Sequence, residues 1–222
     1  MVIVQPFFGS VIEYIATVLA QGCPFSVPDR CPHSDCKAAG SLIRWGTYER
    51  GALTGGTDYR IRIQRVRCKT CGRTHSLLPD FLHPHRHFAI SLLHLVVSSY
   101  LIAELGWRKL IRKLREWYDR APARSTIREW VASFAYGAGH LLLGVLQRLL
   151  LTLDPGIEMP DSSPEHLNDV PDPLKRRRLE KAHAFWLLAE NLYAQIKNRQ
   201  PDLHFTARKF FPFLLHWLQG RE

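Results

Sequence analysis

The residues of this chain best suited to chemistry are four cysteines in two pairs. Cys31-Pro32-His33-Ser34-Asp35-Cys36 is a C-x4-C pair, and Cys68-Lys69-Thr70-Cys71-Gly72 is a C-x2-C pair that ends in glycine. Thiolates suit borderline-soft Zn²⁺, which takes four sulfurs in a closed tetrahedron, and two short knuckles joined by a pair of strands can bring such pairs together. The expectation is one structural Zn²⁺ per chain, held by Cys31, Cys36, Cys68 and Cys71. A closed four-ligand site leaves no position for water, so the metal would hold the fold and catalyse nothing. Cys23 stands apart. Five cysteines behind no recognisable secretory signal do not suit a disulfide framework, and free thiols fit a reducing cytoplasm. His33, inside the first knuckle, and His75, just after the second, could each stand in for a cysteine.

The segment between the pairs must position them, and it reads as strands. Leu42 to Tyr48 holds Leu42, Ile43, Trp45 and Tyr48, while Tyr59 to Val66 alternates Ile61 and Ile63 against Arg60, Arg62 and Gln64. Gly55-Gly56 can turn between them, and Thr74 to Leu82 adds a third strand. Residues 1–22 read as a strand and a short helix packing on this unit, and Cys23 to Arg30, with Pro24 and Pro28, as an extended lead-in. The result is a zinc ribbon spanning 23–87.

Helical patterning follows. Phe88 to Ala103 is apolar at helical spacing but, at 16 residues, short of the roughly 20 a bilayer span needs, so it is expected to be a core helix. Trp107, Leu110, Ile111, Leu114 and Trp117 form an i, i+3, i+4, i+7 stripe opposite Arg108, Lys109, Arg112, Lys113 and Arg115. After a turn over Asp119 to Arg124, Thr126 with Glu129 three residues later predicts a capping box and a third helix starting near 125 or 126, its apolar side docked on the first two helices. The expected fold class is α+β, mostly α. A helix-turn-helix-like unit over 88–153 follows the ribbon, then a Pro-rich acidic linker over 154–173 and C-terminal helices over 174–222. The last of these hold a Lys175 to Arg178 basic run, a helix from Leu179 to Lys197 and an aromatic tail from Phe205 to Leu218.

Composition narrows the partner. Thirty Lys and Arg against twenty Asp and Glu give a net charge of +10, which points to a polyanion, with double-stranded DNA the first choice and no membrane. From Arg44 to Arg73 eight basic residues face only Glu49 and Asp58. Arg60, Arg62, Arg65 and Arg67 are the phosphate-contacting candidates of the ribbon. In the helices the candidates are Arg108, Lys109, Arg112, Arg124, Ser125, Thr126 and Arg128, with Arg128 aimed at a base edge because a guanidinium matches guanine O6 and N7.

Taken together, the run Cys31-Pro32 to Cys36, Trp45-Gly46-Thr47-Tyr48-Glu49-Arg50, Arg65-Val66-Arg67-Cys68 to Cys71-Gly72 and Thr74-His75-Ser76-Leu77-Leu78-Pro79-Asp80-Phe81 resembles an uncharacterised bacterial family. Its members are similar to the zinc-ribbon and helix-turn-helix front end of insertion-sequence transposases. The resemblance covers about residues 23 to 135. It implies that the four paired cysteines bind zinc and that residues 125–133 include a recognition helix. The turn before that helix is longer than the three or four residues usual in the motif.

No β-patterned region after residue 135 could hold the carboxylate triad that strand transfer requires, and no phosphate loop or nucleophile elbow is present. The expectation is therefore a non-enzymatic, nucleoid-associated DNA-binding protein of a mobile element, working with a separate transposase or recombinase subunit or as a homodimer. Two alternatives stay open. One is a metal-dependent nuclease using the His83-Pro84-His85-Arg86-His87 stretch, and the other is a protein-interaction adaptor.

Overall fold

The computed structural model describes the chain except for Phe8, Gly55, His85, Arg86, Glu104, Asp119, Arg120 and residues 159–163 and 200–222. Two compact units divide after Ile90. The first is built on a four-stranded sheet: β1 (Val2–Gln5), β2 (Leu42–Thr54), β3 (Thr57–Cys68) and β4 (Thr74–Pro79), in the order β1-β4-β3-β2. β1 lies parallel to β4, and the other pairings are antiparallel. The β2–β3 ladder runs from Leu42↔Cys68 to Thr54↔Thr57, so the hairpin is longer than the alternating stretches 42–48 and 59–66 suggest. One irregularity interrupts it, a bulge between Arg44 and Gly46. Gly46 sits at φ +139°, a conformation open to glycine and strained for other residues.

Helix α1 (Val11–Gln21) packs on this sheet and starts with a capping box, in which the Ser10 hydroxyl accepts from the Glu13 N–H and the Glu13 carboxylate accepts from the Ser10 N–H at 2.6 Å. Tyr14 anchors it. Its ring is fully buried among Phe7, Phe25 and Phe81, with centroids 5.2 to 6.0 Å away, and its hydroxyl donates to the Arg62 carbonyl. Burial takes the tyrosine pKa well above its ordinary value.

Alternation along β3 shows which face of the sheet is covered. Near the hairpin Ile61 and Ile63 are buried while Arg60 and Arg62 are exposed. Beyond Gln64 the buried residues are Val66 and Cys68, of the other parity, with Arg65 and Arg67 half-buried. Side chains of a continuous strand alternate strictly between faces, so the sheet is covered on opposite faces at its two ends. The four arginines grouped by sequence as one phosphate-contacting set therefore split into Arg60 with Arg62 on one face and Arg65 with Arg67 on the other.

The second unit is helical among the described residues: α2 (Ile90–Leu101, beginning at the division), α3 (Trp107–Trp117), α4 (Arg124–Tyr136), α5 (Ala138–Leu153), a 3-10 turn (Glu165–Leu167) and α6 (Pro173–Arg199). The whole chain is thus α+β and mostly α, as its sequence pattern indicates. The middle of the α3 stripe forms as expected, with Leu110 and Leu114 fully buried and Arg108, Lys109, Arg112 and Arg115 exposed, but Trp117 at its end is 50% exposed and Lys113 is half-buried over the Trp117 ring. Three expectations need correction. α4 begins earlier than its supposed capping box: Ala123 is the N-cap, the Ile127 N–H already bonds the Ala123 carbonyl, and Thr126 is inside the first turn, where its hydroxyl caps nothing. The closest backbone neighbours of α4 are α5 and α6 rather than the first two helices. Phe134 accordingly packs on Phe185 and Trp186 of α6, with centroids 6.1 and 5.1 Å away.

The third correction concerns the start of α6, which follows the segment 154–173 that reads as a linker or long surface loop. Within that segment Leu167 in its 3-10 turn is fully buried and the turn lies against α6. α6 starts at Pro173, six residues before the expected Leu179, because Asp172 caps it. The Asp172 carboxylate accepts from the Leu174 and Lys175 N–H groups at 2.9 and 3.1 Å, and proline suits the first helical position. The basic run Lys175 to Arg178 thus forms part of the first turns of α6. The aromatic segment 205–218 lies outside the described residues. No helix among the described residues is long and apolar enough to cross a membrane.

Trp186, only 1% exposed, joins α2 to α4 through His94 (5.2 Å between centroids) and Phe134. Trp186→Ala should cost about 3–5 kcal/mol of stability, read as a lowered denaturant midpoint at unchanged slope.

Candidate metal centre

Two turns converge on one point of the first unit. In the first, the Cys31 N–H bonds the Ala38 carbonyl, and the Cys36 and Lys37 N–H groups bond the His33 carbonyl, with Lys37 and Gly40 at positive φ. In the second, which ends β3, the Cys68 N–H bonds the Arg73 carbonyl and the Gly72 N–H the Cys68 carbonyl, with Gly72 at φ +70°. The Lys69 N–H to the Ser41 carbonyl, 2.8 Å, ties the second turn to the start of β2. All four sulfurs lie within 4.8 Å of one another. Cys31 Sγ is 3.8 Å from Cys71 Sγ, and Cys36 Sγ is 3.7 Å from Cys68 Sγ.

These distances decide between two chemistries. A disulfide needs sulfurs about 2.05 Å apart, which no pair approaches. A tetrahedron with metal–sulfur bonds of about 2.3 Å has edges of about 3.8 Å. The cluster therefore has the spacing of a metal site, and the four cysteines could hold a metal ion.

The surroundings favour anionic sulfur unevenly. Cys68 is pulled down to about 6, first by the Ser41 hydroxyl 3.2 Å away and then by the Cys71 and Thr70 N–H groups, which favours its thiolate form over those of its neighbours. Cys31 is pushed up to about 12 by burial, against the pull of the His33 N–H. Cys36 accepts from the Ala38 N–H, which lowers it, but burial and the neighbouring thiols leave it raised. A cation would take Cys68 first and release protons as the others join.

His75 is a neighbour of the site rather than one of its four sulfurs. It pairs with Val66 in the β3–β4 ladder, is 2% exposed and places Nε2 3.6 Å from Cys31 Sγ. Burial, and then the charge of the N-terminus, hold its pKa below the usual histidine value. The neutral ring can give its one N–H to the sulfur from Nε2, and Nδ1 is buried with no hydrogen-bond partner among the described residues. His33 turns aside, its Nδ1 accepting from the Asp35 N–H at 3.3 Å. Ser41 escaped the sequence reading because a lone serine before a strand carries no ligand pattern.

The remaining candidates scatter. Arg65 donates to the Thr74 hydroxyl at 2.9 Å, and Arg67 donates to the Gly72 carbonyl and stacks on Trp45. Arg44 donates to the Phe25 carbonyl, and the buried Arg50 to the His83 and Pro84 carbonyls. That last contact bears on the nuclease alternative, since it holds the start of the His83 to His87 stretch by its backbone. His83 is buried, His85 lies outside the described residues, and the only cluster of metal-ligating side chains among the described residues is that of the cysteines. In the second unit Arg108, Arg112 and Arg124 come together with Arg115 around a cavity of about 430 Å³ whose wall also holds Ile111 and Glu116. Arg112 is 3.8 Å from Glu116. Lys109, Ser125 and Arg128 are exposed and Thr126 is half-buried; the Arg128 guanidinium lies over Trp107, whose ring stacks on Tyr100 at 4.0 Å.

Fold and site together define an α+β protein with a four-cysteine site able to take a metal. Residues 31–117 match a family described as a domain of unknown function (DUF6431), a span that holds all four cysteines and ends with α3. No curated protein and no solved structure matches the chain.

Elemental analysis should give one metal equivalent per chain, falling below half an equivalent in Cys68→Ser with Cys71→Ser. His75→Ala should keep the full equivalent but lose about 10–100-fold in metal affinity, measured by chelator competition, because it removes a hydrogen bond to a ligand and not a ligand.

Proposed function

We propose that this chain is a double-stranded-DNA-binding protein with a structural Zn²⁺, related to the front end of insertion-sequence transposases and acting in recognition or regulation of a mobile element without a catalytic domain of its own. Zinc is the ion that best suits four thiolates in a closed tetrahedron. The observation that carries the DNA reading is the cavity lined by Arg108, Arg112, Arg115 and Arg124. Four guanidiniums around one concavity, with Glu116 the only acid on its wall, repel one another. A run of backbone phosphates relieves that repulsion and accepts their forked N–H donors. Ser125 and Arg128 extend the same polar side along α4.

The net charge of +10 and the exposed Arg60 and Arg62 of the first unit support the same partner. Arg128, over Trp107, is pre-oriented by a ring stack and keeps its place as the candidate for base contact. The mobile-element role rests on the resemblance of the ribbon and the helices after it. Such a protein would associate with the nucleoid and work beside a separate transposase or recombinase, or as a homodimer.

If each arginine neutralises one phosphate, log affinity for a duplex should fall against log salt with a slope that Arg108→Ala with Arg124→Ala reduces by about 1.8. Both side chains are exposed, so thermal stability should stay unchanged. A wild-type protein whose duplex binding is absent or independent of salt would contradict the reading and favour the protein-interaction alternative.

A further inference from the structure

Trp45 is a large aromatic side chain that the fold leaves 51% exposed, on the edge strand β2. It occupies the bulge between Arg44 and Gly46, and bulges of this kind re-aim a side chain. The Arg67 guanidinium carbon lies 4.6 Å from the centre of its ring, so one ring face is covered by a cation and half the side chain stays open to solvent. Arg67 also donates to the Gly72 carbonyl, which brings the Lys69 to Arg73 turn alongside the stack. Lys69 and Arg73 are both exposed.

Charge follows the same pattern. By strand alternation the face shared by Trp45 and Arg67 also carries Arg65, and the two acids of the hairpin, Glu49 and Asp58, fall on the Arg60–Arg62 face. An exposed indole with a fixed ring plane at the edge of the sheet and a cationic surround free of strand carboxylates are complementary to an unpaired base and the phosphates flanking it. In a duplex the base faces are already stacked, so a duplex cannot use the ring in this way.

We propose that Trp45, braced by Arg67, is a stacking platform for a base of single-stranded nucleic acid, with Arg65, Lys69 and Arg73 taking the adjacent phosphates. The platform is in the first unit and stands independently of the arginine-lined cavity of the second.

The test uses the full metal-loaded chain and two fluorescently labelled probes, an oligothymidylate of about 15 nucleotides and a mixed-sequence duplex, titrated against wild type, Trp45→Ala and Trp45→Phe. Expected are a loss of about tenfold on oligothymidylate for Trp45→Ala, near-complete recovery with Trp45→Phe, which keeps a stacking ring, and duplex affinity unchanged in both. Wild-type protein that binds duplex but not oligothymidylate would overturn the platform and leave the duplex reading intact. So would Trp45→Ala binding the single strand as wild type does, or losing equally on both probes. Oligothymidylate binding that depends on Trp45 with no duplex binding would support the platform and overturn the duplex reading.

Discussion

Four sulfurs held 3.7 to 4.8 Å apart are the constraint on which the first unit depends. Two thiolates at about 4 Å repel by about 4 kcal/mol at an effective dielectric near 20, and a tetrahedron contains six such pairs. Without a cation the cluster must keep protons, as the raised Cys31 and Cys36 show. With a divalent cation the repulsion becomes attraction, and the N–H groups of both turns, the Ser41 hydroxyl and His75 share the residual negative charge. Since Cys68 ends β3 and Lys69 bonds back to Ser41 at the entry to β2, an ion held there would also fix the register of the long hairpin. That register sets the bulge at Trp45 and the faces on which the arginines lie.

The change of covered face along β3 has the second largest effect. A sheet covered on one side throughout would put Arg60, Arg62, Arg65 and Arg67 on unlike faces by parity alone, but it would bury one of the pairs. Here neither pair is fully buried. Arg60 and Arg62 are exposed, and Arg65 and Arg67 are half-buried through contacts with Thr74, Gly72 and Trp45. The basic character of the first unit is thus spread over two surfaces. In the second unit it is gathered, because residues 108, 112 and 115 recur at helical spacing along α3 and Arg124 opens α4 beside them.

The four cysteines were legible because ligand spacing is local and only a few residue types bind metal. The cores of the strands were legible from the Ile61 and Ile63 alternation, but their full length was not, since Ala52 and Leu53 are buried without alternating. The two capping signals show the limit most clearly. Ser10 with Glu13 and Thr126 with Glu129 have the same pattern, yet only the first caps a helix, because Ala123 already closes the first turn of α4. Asp172-Pro173 marked the start of α6 better than the leucine pattern did. His75 and Ser41 reach the cysteines only through strand pairing and the β2 entry, which no local pattern encodes. The packing of α4 on α6 depends on pairings across more than fifty residues, from Phe134 to Trp186.

The central claim is that sulfur alone fills the metal shell and that the histidines stay outside it. X-ray absorption at the metal edge of the purified full-length protein measures this directly. The account predicts a single shell of four sulfurs at about 2.3 Å. A mixed shell with one nitrogen near 2.0 Å would place His33 or His75 on the metal and contradict it.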